Sequence, residues 1–233
     1  MTTIASNLQA VRDAIAAEAA RAGRDAGKIR LLAVSKTFAP GALREAYAAG
    51  QTCFAESYVQ EALGKVAALR DLAIEWHYIG PIQSNKTRPI AENFMWVHSV
   101  DRLKIAERLS EQRPAHLPPL QVCLQVNISG EVSKSGVAPD EAEALAHGVA
   151  KLPRLKLRGL MAVPAPGDDF AAQRMPFAKL RELCERLNLR GLQLDTLSMG
   201  MSHDFAAAIA EGATIVRIGT AIFGTRDYLG END

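Results

Sequence analysis

Apolar residues recur along this chain with two alternating periods. Ile4, Leu8, Val11, Ile15 and Ala19 follow Thr2 and Thr3 at intervals of three to four residues, which predicts an amphipathic helix ending near Gly23. From Ile29 short β-branched and apolar runs take over, predicting strands at 29–35, 52–55, 74–79, 95–99, 120–127, 155–161, 194–198 and 214–218. Helical spacing fills the gaps: Pro40 to Ala49 stopped by Gly50, then 58–69, 85–92, 101–112, Pro139 to Lys151, about Asp169 to Asn188, and 203–211. In 101–112, DRLKIAERLSEQ, charges lie on one face and apolar residues on the other, as an outer helix of a barrel requires.

Eight strands, each separated from the next by a helical segment, fit the length and order of an α/β protein of the (β/α)8 TIM-type barrel class. The expectation is one domain over 1–233, with an N-terminal helix in 1–28 and the barrel in 29–228. A doubly wound sheet would carry a glycine-rich dinucleotide turn after its first strand, whereas this chain reads SKTFAPG there. No Pro/Gly/Ser linker divides the chain, and the PAHLPPL segment is short enough to join a helix to a strand.

Composition narrows the partners. Charged residues make up 23% and hydrophobic ones 48%, and the net charge is +1 with no clustered basic run. Nucleic acid and anionic membrane are therefore not expected partners, while a local anion site is. Cys53, Cys123 and Cys184 are far apart and form no CxxC, which suits reduced thiols. The opening residues do not read as a signal peptide and no apolar run reaches membrane-spanning length, so a cytoplasmic location is expected.

In such a barrel the chemistry sits just after the strands. Those positions hold Lys36, Glu56 with Ser57, His77 with Gly80, His98, Asn127, Met161, Ser198, and Arg217 with Gly219, and the strand interiors read as apolar. Lys36 ends the run IRLLAVSKT, and a lysine amine delivered to a fixed point can condense with an aldehyde. LSMGMSHD at 197–204 and VRIGTAIFG at 216–224 place hydroxyls and glycines after strands seven and eight, the usual phosphate position of these barrels. Arg217, within the strand next to that second loop, can face a pyridine nitrogen. An aldehyde at one end and a phosphate at the other describe pyridoxal phosphate. Glu56, His77 and His98 together suggest a metal only weakly, because paired His-x-His or several carboxylates are absent. Met161, Met199 and Met201 read as packing residues.

AVSKT, FAESYVQE, WHYIGPIQSNK, SVDRLKIAERL, NISGEVSKSG, RGLMAVP, LSMGMSHD and VRIGTAIFG, in this order from Ile29 to Tyr228, resemble the pyridoxal phosphate homeostasis proteins. That family is a relative of the barrel of bacterial alanine racemase. The resemblance implies a Schiff base between Lys36 and pyridoxal phosphate. It implies phosphate contacts from Ser202 and the backbone at Gly219 and Thr220, helped by Ser198, with Arg217 at the ring nitrogen. His77, Asn85 and Lys86 would line the mouth, Met161 would stand at the cofactor site, and Lys134 would offer a second amine nearby. The family usually has asparagine where this chain has Ser57, so that contact would come from a shorter hydroxyl. The function implied is non-catalytic holding, storage or transfer of the cofactor, with cofactor-accepting apoenzymes as partners. The alternative is an amino-acid racemase. Racemisation needs a second proton donor that alanine racemase takes from an additional domain, and this chain stops shortly after Arg217. At most a weak racemase-like side activity, and a monomer, are expected. A lysine aldolase is the third class, but its lysine is typically carried by a later strand.

Overall fold

The computed structural model describes residues 3–131 and 134–225. Thr2, Val132 and Ser133 of the NISGEVSKSG stretch, and the expected barrel end at Tyr228, lie outside them. The element order is α1 (Ile4–Arg21), β1 (Arg30–Val34), α2 (Pro40–Ala48), β2 (Cys53–Glu56), α3 (Val59–Ala68), β3 (Glu75–Tyr78), α4 (Thr87–Asn93), β4 (Trp96–Val100) and α5 (Leu103–Gln112). It continues with β5 (Leu120–Gln125), α6 (Ala142–Ala150), β6 (Leu155–Met161), α7 (Phe170–Leu189), β7 (Thr196–Ser198), α8 (Phe205–Ala210), β8 (Ile215–Ile218) and α9 (Thr220–Phe223). All eight strands are parallel and close into a barrel in chain order. The expected (β/α)8 architecture is therefore present, with α1 preceding it. The segment after β8 forms the single-turn helix α9.

Local chemistry explains the boundaries. Thr3 caps α1 in a reciprocal capping box with Ser6, and Asp169 caps α7 by accepting from the Ala172 amide at 2.7 Å. Strand residues alternate between two environments. Ala33, Phe54, Tyr78, Val97, Leu124, Leu160 and Ile218 pack outward against helix residues such as Leu43, Ala62, Ile90, Ile105, Phe177 and Ile209. Inside the barrel are two small apolar clusters, Leu32, Val34, Ala55 and Ile215, and Trp96, Cys123 and Met161.

The interior departs from the sequence expectation of apolar strand interiors. His77, His98, Ser198 and Arg217 share the inward parity, and all four are buried. Trp96 stacks on His77 with ring centroids 5.5 Å apart and planes 8° from parallel, and the Arg158 guanidinium lies 4.9 Å from the Trp96 ring. Branched aliphatic side chains usually fill such a barrel. Here a polar column runs through it.

Candidate functional site

The β1–β8 pairing sets Leu32 opposite Arg217 and Ala33 opposite Ile218. The chain leaving β1 therefore emerges beside the turn that follows β8. Gly219 is needed at that contact: a Cβ there would lie 3.0 Å from the Val34 carbonyl oxygen and 3.3 Å from the Val34 Cβ. Lys36, two residues beyond Val34, is half-buried at the same rim.

The Lys36 turn is gripped from below by ions. Thr37 has φ of 71°, a left-handed conformation unusual for a β-branched residue, and its amide donates to Glu61 at 2.6 Å. Lys65, itself buried, donates to the Ser35 carbonyl at 2.6 Å, to Glu56 Oε1 at 2.8 Å and to Glu61. Ser35 Oγ adds a bond to Glu56 at 2.6 Å. Burial pushes the Glu56 carboxyl above its ordinary range, outweighing the ammonium beside it. Glu56 Oε2 is buried without a hydrogen-bond partner among the described residues. Lys65 and Glu61 bracket the backbone on either side of Lys36, and sequence reasoning singled out neither. Their i, i+4 spacing on α3 was the available signal.

Arg217 is held differently. Nη1 donates to the Ser198 carbonyl at 2.6 Å and to Ser198 Oγ at 2.8 Å, and Nη2 donates to the Ala162 carbonyl at 2.9 Å. Burial lowers its pKa to about 10, which still leaves it cationic at neutral pH. From Ser198 Oγ the contacts run on to His98 Nδ1 at 2.8 Å, from His98 Nε2 to His77 Nδ1 at 2.9 Å, and from His77 Nε2 to Glu75 Oε1 at 2.9 Å. Burial lowers the pKa of both histidines, most strongly for His98. Glu75 is lowered, chiefly by the bond from His77.

These contacts correct several expected positions. His77 does not line the mouth: its strand parity turns it into the barrel, it has no exposed surface, and both ring nitrogens are engaged. Ser198 is likewise buried below the rim, with its hydroxyl bonded to Arg217 and His98. Met161 is buried in the Trp96–Cys123 cluster. Asn85 is exposed on the short turn Ser84–Lys86 and makes no cap bond to α4. Ser57 is half-buried at the rim, its carbonyl accepting from the Tyr78 hydroxyl at 3.1 Å. Gly80 presses on that same residue so closely that a Cβ would fall 2.1 Å from the Ser57 oxygen. Ser202 is half-buried and Thr220 exposed, both at the rim after β7 and β8. Lys134 pairs with Glu131 at 2.9 Å. Glu56, His77 and His98, which suggested a metal only weakly, are not brought together as a trio, since Glu56 faces Lys65. Cys53, Glu75 and His77 do converge, but Arg30, His77 and the Cys53 thiol all meet one oxygen of Glu75, so the cluster is already a hydrogen-bonded hub.

A closed parallel barrel with a lysine leaving its first strand, a buried arginine on its last and a glycine-bearing turn between them defines a class of protein. The chain belongs to the family described as alanine racemase, N-terminal domain, whose model matches residues 7–227. Within that class its curated relatives are pyridoxal phosphate homeostasis proteins. The one from Pseudomonas aeruginosa is 65% identical over 228 residues, covering 98% of each chain. The one from Escherichia coli strain K12 is 54% identical over 231 residues, covering 98% of this chain and 99% of its own. Among solved structures, PipY of Synechococcus elongatus with pyridoxal phosphate bound is 38% identical, with a TM-score of 0.83 over 95% of this chain and 100% of its own. Alanine racemase from Corynebacterium glutamicum shares the fold at 20% identity, with a TM-score of 0.67 over 94% of this chain and 63% of its own. Among the described residues no helix is long and apolar enough to cross a membrane.

Proposed function

We propose that this protein binds pyridoxal phosphate through Lys36 and serves in its storage or transfer within the cell, without strong catalytic activity. The observation that carries the reading is the β1–β8 register, which brings the Lys36 turn, the buried Arg217 and the Gly219–Thr220 turn to one sector of the rim. The donor set fits the cofactor: an amine for its aldehyde, a fixed cation for its ring nitrogen, and hydroxyls with first-turn amides for its phosphate. The bound cofactor supplies a reactive aldehyde and an electron-withdrawing ring.

The protein's own residues then have separable tasks. Lys36 supplies the amine, while Lys65, Glu56 and Glu61 fix the turn that presents it. Ser202 and the backbone at Gly219 and Thr220 hold phosphate. Arg217 stays charged and donates toward the ring nitrogen, which disfavours a proton there and so weakens the ring as an electron sink. The relatives' name, and the cofactor bound to PipY, support the same assignment.

The test is a transfer assay. Protein loaded with pyridoxal phosphate and freed of excess ligand is mixed with a pyridoxal phosphate-dependent apoenzyme, and the apoenzyme's recovered activity is followed beside alanine racemisation by the loaded protein alone. Reactivation without measurable racemisation is expected. Sustained multiple-turnover racemisation would favour the catalytic reading instead.

A further inference from the structure

The contacts from Arg217 to Glu75 cross the barrel from its C-terminal rim to its N-terminal mouth. Their ends fix their direction. A guanidinium can only donate, and an ionised carboxylate can only accept. Between them stand two buried imidazoles and one hydroxyl, each within ordinary hydrogen-bond distance of the next. With Glu75 accepting, His77 carries its proton on Nε2 and accepts at Nδ1. His98 then also carries its proton on Nε2 and accepts at Nδ1 from the Ser198 hydroxyl. The Ser198 oxygen is left to accept from Arg217. Each ring nitrogen and the Ser198 hydroxyl hydrogen has a partner in this one arrangement.

We infer that Glu75, His77 and His98 are positioning residues for Arg217, setting the direction of a through-barrel hydrogen-bond chain whose order at the lower mouth controls how the guanidinium meets a ligand at the rim. The inference rests on the reading of Arg217 as the ring-nitrogen partner. Reversing the chain makes His98 Nδ1 donate into Ser198 Oγ, the oxygen that already accepts from Arg217. The Ser198 hydroxyl hydrogen then loses its acceptor, and Arg217 shares an oxygen it held alone. Glu75 is the end at which such a reversal can begin: its side chain is 35% exposed, and it lines a lower cavity of about 720 Å³ with Arg30 and Cys53. The groups facing it are Arg30 from β1, Cys53 from β2 and His77 from its own strand.

The experiment has one arm without ligand and one with it. Imidazole ¹⁵N spectra of the labelled ligand-free protein are expected to show His77 and His98 neutral with the proton on Nε2. Glu75→Met, which removes the acceptor, is expected to move both protons to Nδ1, and Glu75→Gln, which keeps an acceptor oxygen, to leave them in place. After addition of pyridoxal phosphate, Glu75→Met is expected to shift the visible band or to change affinity on the order of threefold, the equivalent of half a pKa unit, with Glu75→Gln matching the wild type. Nδ1–H or cationic histidines in the wild type would overturn the inference, whatever the variants' stability. So would an unchanged spectrum and affinity in a Glu75→Met protein whose tautomers had moved. Failure of the wild type to take up the cofactor would instead remove the functional reading, leaving the ligand-free arm to stand by itself.

Discussion

On the Lys36 side of the barrel the buried polar groups are ions, and on the Arg217 side they are oriented neutral groups ending in one ion at each mouth. The Glu56–Lys65–Glu61 cluster bonds the backbone around Lys36 at short range, yet among the described residues it leaves Glu56 Oε2 without a hydrogen-bond partner. The Ser198–His98–His77 column leaves no nitrogen of either ring unused. Ions grip strongly and tolerate incomplete pairing only at a cost in desolvation, whereas neutral rings carry a direction across many ångströms with little such cost. A turn that must hold one amine in place suits the first device. A cation whose orientation must be set without adding charge beside a pyridine suits the second.

Breaking the ionic side should produce the largest effect. Lys65→Met leaves the Glu56 carboxylate buried and uncompensated, and is expected to cost about 3–5 kcal/mol of stability in urea denaturation. A loss within about 1 kcal/mol would show that Glu56 takes up a proton and that the cluster is not held by charge.

The neutral side should reveal itself in acid. Both histidines have folded pKa values below their ordinary one, so as pH falls below about 6.5 the unfolded chain binds protons that the folded chain refuses. Stability should fall as the pH drops, each ring adding a slope of at most about 1.4 kcal/mol per pH unit. Glu75, held low by His77, loses its own contribution only nearer the carboxylate range, whereas Glu56, pushed up by burial, acts in the opposite sense above that range. The slope is read between about pH 5 and 6.5 in the wild type and in His98→Asn, so that the Glu56 contribution is common to both. His98→Asn should flatten it, and a profile unchanged in that variant would contradict a neutral His98 in the folded wild type.

The smallest effect concerns the turn itself. Thr37→Asn keeps the amide that Glu61 holds and suits the left-handed backbone better, so a gain of about 1 kcal/mol or less is expected in thermal or urea unfolding. A loss would mean that the Thr37 side chain holds the turn, not only its amide.

The element order was legible because each strand and helix announces itself by period, and Lys36, Ser202, Gly219 and Thr220 could be placed by the rule that chemistry follows the strands. The column was not. Reading it requires knowing which parity faces the axis, and the only local signal was the i, i+2 pairing of Glu75 with His77 in EWHY and of Trp96 with His98 in WVHSV. Treating strand-end residues as rim residues put His77 and Ser198 one layer too high. Lys65 was hidden because a helix lysine normally reads as solvated, and only its reach to Ser35 and Glu56 shows otherwise.

The most direct measurement is borohydride reduction of the protein after incubation with pyridoxal phosphate, followed by peptide mass analysis. The account predicts a yellow protein whose reduced adduct maps to Lys36, and a Lys36→Ala variant that yields no adduct while keeping weaker, phosphate-anchored binding. An adduct of equal yield in Lys36→Ala, or one mapped elsewhere in the wild type, would contradict it.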